Sequence, residues 1–260
     1  MQRELLPALE FGMRVAALYD IHGNLPALEA VLAEVRAVDV DRVVIGGDVL
    51  PGPMPRECVD VVLGLGIPTD FIIGNGDRET IAARHGMMSS LIPASFREAI
   101  EWNAAQLTDA DEATINRWPL TTTLRIDGVG EVLFCHATPR NDTEVFTSAT
   151  RDEKLRPIFD PFGVNVAVCG HVHMQFDRMV GATRIVNAGS VGMPFDTPGA
   201  YWLMLDSGIE LRKTEYDLER AAKCVRQTAY PQAEIFATSS ILNPPSKEMM
   251  SAAFSNAELS

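Results

Sequence analysis

Basic residues are in short supply in this chain: 22 lysines and arginines stand against 35 aspartates and glutamates, a formal net charge of −13. A protein that tracks long nucleic acid normally presents a basic surface, so the balance argues against that class of partner. Small phosphorylated substrates stay open, because bound cations supply positive charge locally, and the acidity itself serves solubility. Apolar runs are short. None approaches the ~20 residues that span a bilayer, so no membrane partner is expected. Residues 1–12 carry acidic groups and lack the apolar core of a secretory signal. Cysteine is rare as well: Cys58, Cys135, Cys169 and Cys224 are scattered without metal-finger spacing. Scattered thiols with no export signal predict a reduced, cytoplasmic setting. Internal repeats and low-complexity tracts are missing too.

What is present is enough apolar material for a core. With 47% hydrophobic residues in 260, the chain suits one large domain with an appendage. Met13 directly precedes the first strand, so residues 1–12 read as an optional N-terminal extension and 13–229 as the domain. From Tyr230 onward, with Pro244-Pro245 and a polar end, a C-terminal appendage (230–260) with weak order at its extremity is expected. Nothing in the composition decides against a homo-oligomer.

The organising stretch runs from Leu18 to Asn24. Arg14 to Tyr19 is a short apolar run of strand length that ends in Asp20 and His22. In extended backbone, residues i and i+2 project to one side, so the carboxylate and the imidazole would converge. Asn24 then caps a helix with Pro26 in its first turn and Leu25, Leu28, Leu32 and Val35 along one face.

The pattern repeats. Asp41 to Ile45 is a second apolar strand, ending in Gly46-Gly47-Asp48, and Phe71 to Ile73 a third, ending in Gly74-Asn75-Gly76-Asp77. Between them, Arg56 to Leu65 has helical spacing (Val59, Val62, Leu63). Strand–helix–strand–helix–strand predicts parallel βαβ units, which gather ligands at the carboxyl ends of their strands. A helical section follows, with Phe96, Ile100 and Leu107 on one face of 94–107 and a capping box at Thr108 opening a short helix that carries Ile115 and Trp118. Strands are expected at 122–126 and 131–135, the latter ending in His136. Residues 137–161 read as a rim or lid with a short helix over 152–158. Val164 to Cys169 ends in Gly170-His171-Val172-His173, 184–186 leads into Asn187 to Gly192, 201–205 and 209–213 form a hairpin, and 217–229 is a helix.

Five predicted strands therefore end in potential ligands: Asp20 with His22, Asp48, Asn75, His136, and His171 with His173. Four of the chain's five histidines sit at these ends; His85 is the exception. Oxygen and imidazole donors without thiolate suit manganese, iron, zinc or nickel. Seven donors exceed one ordinary site and suit two divalent ions ~3.5–4 Å apart.

In this order, D-x-H, G-G-D, G-N-x-D, a strand-end His and G-H-x-H resemble the calcineurin-like metallophosphoesterase superfamily, from about Val15 to Gly192. The G-N-x-D variant and Asn-x-Gly-Ser-Val-Gly are similar to its small bacterial and archaeal phosphodiesterase branch. The resemblance implies an α/β (α+β) fold, a four-layer αββα sandwich of two mixed sheets flanked by helices. It also implies a phosphoesterase, most readily a phosphodiesterase of small or nucleotide-type esters. Asp20, His22, Asp48 and His173 would hold one ion. Asp48 would bridge to a second, completed by Asn75, His136 and His171. Hydroxide between the ions would attack phosphorus in line. A phosphomonoesterase, including a protein phosphatase, and a dinucleoside polyphosphate hydrolase are the alternatives among enzymes. A retromer-subunit-like scaffold is the alternative outside them.

One departure matters. Many members carry His after the Asn, where this chain has Gly76, so the proton for the leaving oxygen falls to water or to Asp77. Asp77 would otherwise hydrogen-bond His22 or another ligand, or simply cap a helix. Arg78 reads either as a second phosphate contact or as a surface helix start. Arg140, Asp142 and Glu144 line the substrate pocket or a solvated loop. Asn187 to Gly192 is either a turn or backbone packed beneath the metals. Cys135 and Cys169 read as buried fillers, His85 as an exposed helix end.

Overall fold

The computed structural model describes residues 12–255 and 257–259. The proposed extension therefore lies, for residues 1–11, outside the described residues. The first strand, β1 (Val15–Leu18), is buried at every position, and alternation decides what each side chain meets. Ala16 and Leu18 face a helical layer, while Val15 and Ala17 face a second sheet. Helix α1 (Leu25–Ala37) starts at Asn24, whose side chain accepts from the Ala27 N–H at 3.3 Å, with Pro26 in the first turn. It buries Leu28, Leu32 and Val35.

Strand β2 (Arg42–Ile45), helix α2 (Pro55–Leu63) and strand β3 (Thr69–Phe71) complete the parallel units. On α2, Val59 and Val62 face inward as expected but Leu63 does not; it is 42% exposed. Helices α3 (Asn75–Arg84), α4 (Ala94–Gln106) and α5 (Asp109–Ile115) follow. The Thr108 capping box is formed, and Ile115 and Trp118 are buried. On α4 the inward face is Ala99, Ile100, Asn103 and Ala104, and Phe96 is 52% exposed rather than core.

The second half begins with the antiparallel pair β4 (Thr121–Ile126) and β5 (Gly130–Cys135). Residues 137–151 are not simply a rim: Thr138, Asp142, Phe146, Thr147 and Thr150 are buried, and Phe146 stacks edge-on against Phe159 of α6 (Asp152–Phe159). Strands β6 (Val166–Cys169), β7 (Phe176–Val180) and β8 (Thr183–Asn187) lead to the hairpin β9 (Ala200–Leu205) and β10 (Ile209–Thr214). Helix α7 (Leu218–Arg226), the short α8 (Ala233–Phe236), a π-helical turn at Ala237–Leu242 and α9 (Lys247–Phe254) close the chain.

Two five-stranded sheets result, ordered β10-β9-β1-β2-β3 and β4-β5-β6-β8-β7. The first is antiparallel only at β9 and β10, the second only at β4 and β7. Between them lies one apolar layer that joins Val15, Tyr19, Val44 and Leu203 to Phe134, Val166, Val168 and Val186. Helices α1 and α2 cover the outside of the first sheet, and α6 and α9 the outside of the second. This is the four-layer αββα sandwich. Residues 230–255 and 257–259 lie against it: Lys247 donates to the Gln175 carbonyl, and Glu258 accepts from Thr147 and Thr150 at 3.0 and 2.8 Å.

Candidate metal centre

The carboxyl ends of β1, β2, β3, β5 and β6 lie at one edge of the sandwich and bring the seven candidate donors together. Asp20, His22 and His173 offer ligand atoms within 4.8 Å of one another, and so do Asp48, His136 and His171. Each group draws from both sheets, and His171 and His173 fall into different groups. Asp48 Oδ2 stands between the groups, 3.6 Å from His22 Nε2 and 3.5 Å from His136 Nε2.

Convergence does not arise from extended backbone. Asp20 and His22 have φ of 53° and 46°, and His171 and His173 have 68° and 56°. Asp48, at 54°, shares the left-handed region, so five of the six non-glycine residues described there are candidate donors. Each such conformation costs about 1–2 kcal/mol, and strain of this kind persists only where surrounding bonds over-determine it. Those bonds are visible. Asp20 N donates to Gly47 O (3.1 Å), His22 N to Asp48 O (2.9 Å) and His171 N to Asp20 Oδ2 (2.8 Å). The Asn187 to Gly192 segment packs beneath: Ser190 Oγ donates to Asp20 O (2.7 Å) and Asn187 Nδ2 to Gly170 O (2.6 Å). Gly47 (φ 92°) allows a close approach, since a Cβ there would sit 2.6 Å from Gly74 N and 2.8 Å from His136 Nδ1.

Hydrogen bonds at the back of the site aim the lone pairs forward. The His22, His136 and His173 Nδ1–H groups donate to the carbonyls of Pro51 (3.2 Å), Gly46 (2.9 Å) and Met193 (2.7 Å). In the neutral rings every Nε2 is then an acceptor, yet His22 Nε2 faces His173 Nε2 at 3.1 Å. Two lone pairs at that distance repel unless a cation or a proton lies between them. Each carboxylate likewise commits one oxygen to backbone. Asp20 Oδ2 takes the His171 N–H and Asp48 Oδ1 the Gly76 N–H (2.7 Å), leaving Asp20 Oδ1 fully buried without a hydrogen-bond partner. An orphaned buried carboxylate oxygen beside aligned imidazole lone pairs is what a divalent ion requires.

Asn75 fits the same account. Its carbonyl oxygen faces His136 Nε2 at 3.1 Å, acceptor to acceptor. With the amide turned over, its nitrogen would donate to His136 Nε2 and to His171 Nδ1. A cation or a protonated His136 favours the first orientation, and neutral rings favour the second.

Without a metal, protons carry the compensating charge. Burial pushes the His136 imidazole down, but Asp48 and then Asp20 overcome it and raise it to about 10. His173 is raised in the same way, chiefly by Asp20 against burial. Burial favours the neutral Asp48 carboxyl, yet His136, His22 and His171 hold it well below the carboxylate range. His171 drops to about 4 through burial and the charge of His136.

Asp77 does not bond His22. Its Oδ2 accepts from Asp48 N (2.8 Å) and Gly74 N (3.1 Å) and its Oδ1 from Leu50 N (2.9 Å), so it fastens the backbone of the Asp48 turn to the start of α3. Burial and the neighbouring Asp48 charge raise it to about 7 despite these donors. Arg78 is engaged by Asp142 through two bonds (2.7 and 3.0 Å) and by Glu79 (2.7 Å). Arg140 pairs with Glu144 at the surface. Both guanidinium groups are thus paired with carboxylates. His85 ends α3 half-exposed against Glu112, and Cys135 and Cys169 are buried fillers.

Two features had no warning in the sequence. Phe195 stacks on the His173 ring (4.8 Å between centroids, 24°), and Phe254 of α9 lies 6.1 Å behind it. A pocket of about 200 Å³ opens directly off His22, Asp48 and Asn75, walled by α4 and Tyr230.

Residues 13–208 match the family described as the calcineurin-like phosphoesterase superfamily domain. The chain belongs to that superfamily. Its members bind divalent metals, in keeping with the two donor groups. Protein MJ0912 of Methanocaldococcus jannaschii is 26% identical over 245 residues, covering 84% of this chain and 94% of the relative. A metallophosphoesterase from Sphaerobacter thermophilus is similar in structure, with a TM-score of 0.66 and 26% identity over 87% of this chain and 98% of its own. Protein PH1004 of Pyrococcus horikoshii OT3 shares the fold, with a TM-score of 0.75 and 19% identity over 90% and 100% of the two chains. No helix among the described residues is long and apolar enough to cross a membrane.

Proposed function

We propose that this protein is a phosphoesterase dependent on two divalent ions, acting on small phosphate esters and favouring diesters or nucleotide-type substrates over proteins. The observation that carries the reading is the shared position of Asp48 Oδ2 between two three-residue donor groups, beside an Asp20 Oδ1 that is buried without a hydrogen-bond partner. Asp20, His22, Asp48 and His173 would hold one ion, and Asp48, Asn75, His136 and His171 the other. Manganese suits this donor set, as do iron, zinc and nickel. Bound there, two ions supply an activated water and charge neutralisation at phosphorus.

The chain's own residues do the rest. The carbonyls of Pro51, Gly46 and Met193 fix the tautomers and ring angles of His22, His136 and His173. Asp77 holds the Asp48 turn. Both Asp77 oxygens are occupied by backbone N–H groups and the side chain is fully buried, so water is the remaining proton donor to a leaving oxygen.

Metal content and turnover test the proposal together. Manganese-loaded protein should bind about two ions per chain and hydrolyse members of a panel of monoesters, diesters and nucleotides. Asp48→Asn should lose both ions and turnover, whereas His85→Ala, remote from the donors, should keep them. Full activity in the Asp48 variant would overturn the two-ion reading. An interaction scaffold of the same fold would give bound metal without turnover of any ester.

A further inference from the structure

The pocket beside the donor groups has a character of its own. His22, Asp48, Asn75 and Gly76 form one wall, and the remainder is nearly all apolar: Pro51, Ile92, Pro93, Phe96, Ile100 and Tyr230. Its acidic member outside the donor groups, Glu79, is 5% exposed and occupied, with one oxygen on Arg78 and the other accepting from Ser89 N at 2.8 Å. No charged side chain is therefore free there to meet a second phosphate.

The walls are braced rather than collapsed. Tyr230 is held edge-on between Trp102 (5.6 Å, 68°) and Phe236 (6.2 Å, 87°). The segment before α4 is tied by Arg97, which donates to the carbonyls of Ile92 (3.2 Å) and Ser89 (2.7 Å). Glu79 fixes its other end through Ser89. Phe96 stays 52% exposed at the mouth, although a residue of this size gains about 1.5–3 kcal/mol from full burial. A rigid apolar recess, opening onto a charged centre and leaving an aromatic unburied, is suited to an apolar group delivered with an anion.

We propose that this pocket receives the organic group of the substrate, and that the group is a planar apolar ring carried on or near the phosphate. The inference rests on the phosphoesterase reading and narrows it. At about 200 Å³ the recess falls below the ~300–1,000 Å³ typical of pockets for drug-sized ligands. It takes one ring system and excludes the two nucleosides of a dinucleoside polyphosphate. Methyl and other small alkyl esters leave it unfilled.

Binding of unreactive phosphonates tests this separately from chemistry. Phenylphosphonate and methylphosphonate are titrated into the manganese-loaded protein and followed by calorimetry. Phenylphosphonate should bind at least about tenfold more tightly, and Phe96→Ala should reduce that ratio several-fold. Because Phe96 is half-exposed, its truncation leaves the fold intact, and circular dichroism checks this. Equal affinities for the two probes, or a ratio unchanged in Phe96→Ala, would overturn the pocket assignment. Adenosine monophosphate distinguishes the two sources of a ring. Affinity near that of phenylphosphonate assigns the pocket to a base, and affinity near that of methylphosphonate assigns it to a ring attached directly to phosphate. A strong preference for the phenyl probe in a protein that hydrolyses no ester would uphold the pocket while refuting the phosphoesterase reading.

Discussion

Replacing Gly76 by alanine should damage the protein, although alanine is the better helix former by up to about 1 kcal/mol. Gly76 lies in the first turn of α3, and a Cβ there would stand 2.3 Å from the Leu50 carbonyl oxygen, 2.9 Å from Pro51 Cδ and 3.0 Å from Asp48 Oδ1. The first neighbour is backbone and cannot rotate away, so one segment must move by about 1 Å, an overpacking cost of about 1–3 kcal/mol. The same movement strains the 2.7 Å bond from Gly76 N to Asp48 Oδ1; bonds to charged acceptors contribute about 1.5–3 kcal/mol. The balance is a net loss of about 2–4 kcal/mol. At about 2–4 °C per kcal/mol for a chain of this size, the melting temperature should fall by roughly 5–15 °C. Because Asp48 is displaced, metal affinity should fall by at least about tenfold. Gly76→His, which restores the residue common in the superfamily, carries the same Cβ and should lose stability too rather than regain a proton donor. Thermal melts of the metal-free variants and calorimetric metal titrations decide the matter. A Gly76→Ala protein with an unchanged melting temperature and unchanged metal affinity would refute the steric reasoning.

Metal uptake should expel protons. His136, raised to about 10, is protonated near neutral pH in the metal-free protein, and Asp20 shifts His173 in the same direction. The His136 contribution to metal-free stability is complete below about 6.5 and fades as pH climbs through about 10, whereas metal affinity rises over the same window. Calorimetry in two buffers of different ionisation heat should therefore give different apparent enthalpies; equal values would mean that the rings are already neutral. With water as the proton donor to the leaving oxygen, rates across a series of aryl esters should depend steeply on leaving-group pKa. A positioned acid is worth about 10²–10⁴-fold, so a flat plot with chemistry rate-limiting would reveal one. Phe195→Ala should weaken metal binding by removing the stack on His173 while moving the melting temperature of the metal-free protein little. Unchanged affinity would show that the Met193 carbonyl alone orients the ring.

The buried strands were legible because parallel strands covered on both faces read as continuous apolar runs, and glycine breaks mark where each run stops. The donor set was legible for the same reason, as a change from apolar to ligand residues at five strand ends. The backbone that delivers those donors was not. Left-handed aspartate and histidine leave no compositional trace, so Asp20 and His22 converge through positive-φ turns rather than through the extended i, i+2 geometry that the sequence suggests. Strand β7 was missed because it is an edge whose middle residues face outward. Periodicity placed Leu63 and Phe96 on buried faces because spacing defines a stripe but not its edges. Tyr230 and Phe96 lie 134 positions apart in sequence, and nothing local to either announces the pocket both line.

Both donor groups span the seam between the two sheets: Asp20 and His22 come from one and His173 from the other, Asp48 from one and His136 and His171 from the other. An ion held by Asp20, His22 and His173 is a rivet through the sandwich, closing a chain loop of about 150 residues that apolar packing and a few hydrogen bonds, such as His171 N to Asp20 Oδ2, also hold shut. Ligand binding adds about 2.7 kcal/mol of stability when free metal exceeds its dissociation constant 100-fold. That reinforcement acts on the opening of one sheet from the other rather than on fraying within either. Chelation should then speed amide exchange first along β1 and β6, the strands that face each other beneath the centre, and leave the outer hairpin β9–β10 comparatively undisturbed.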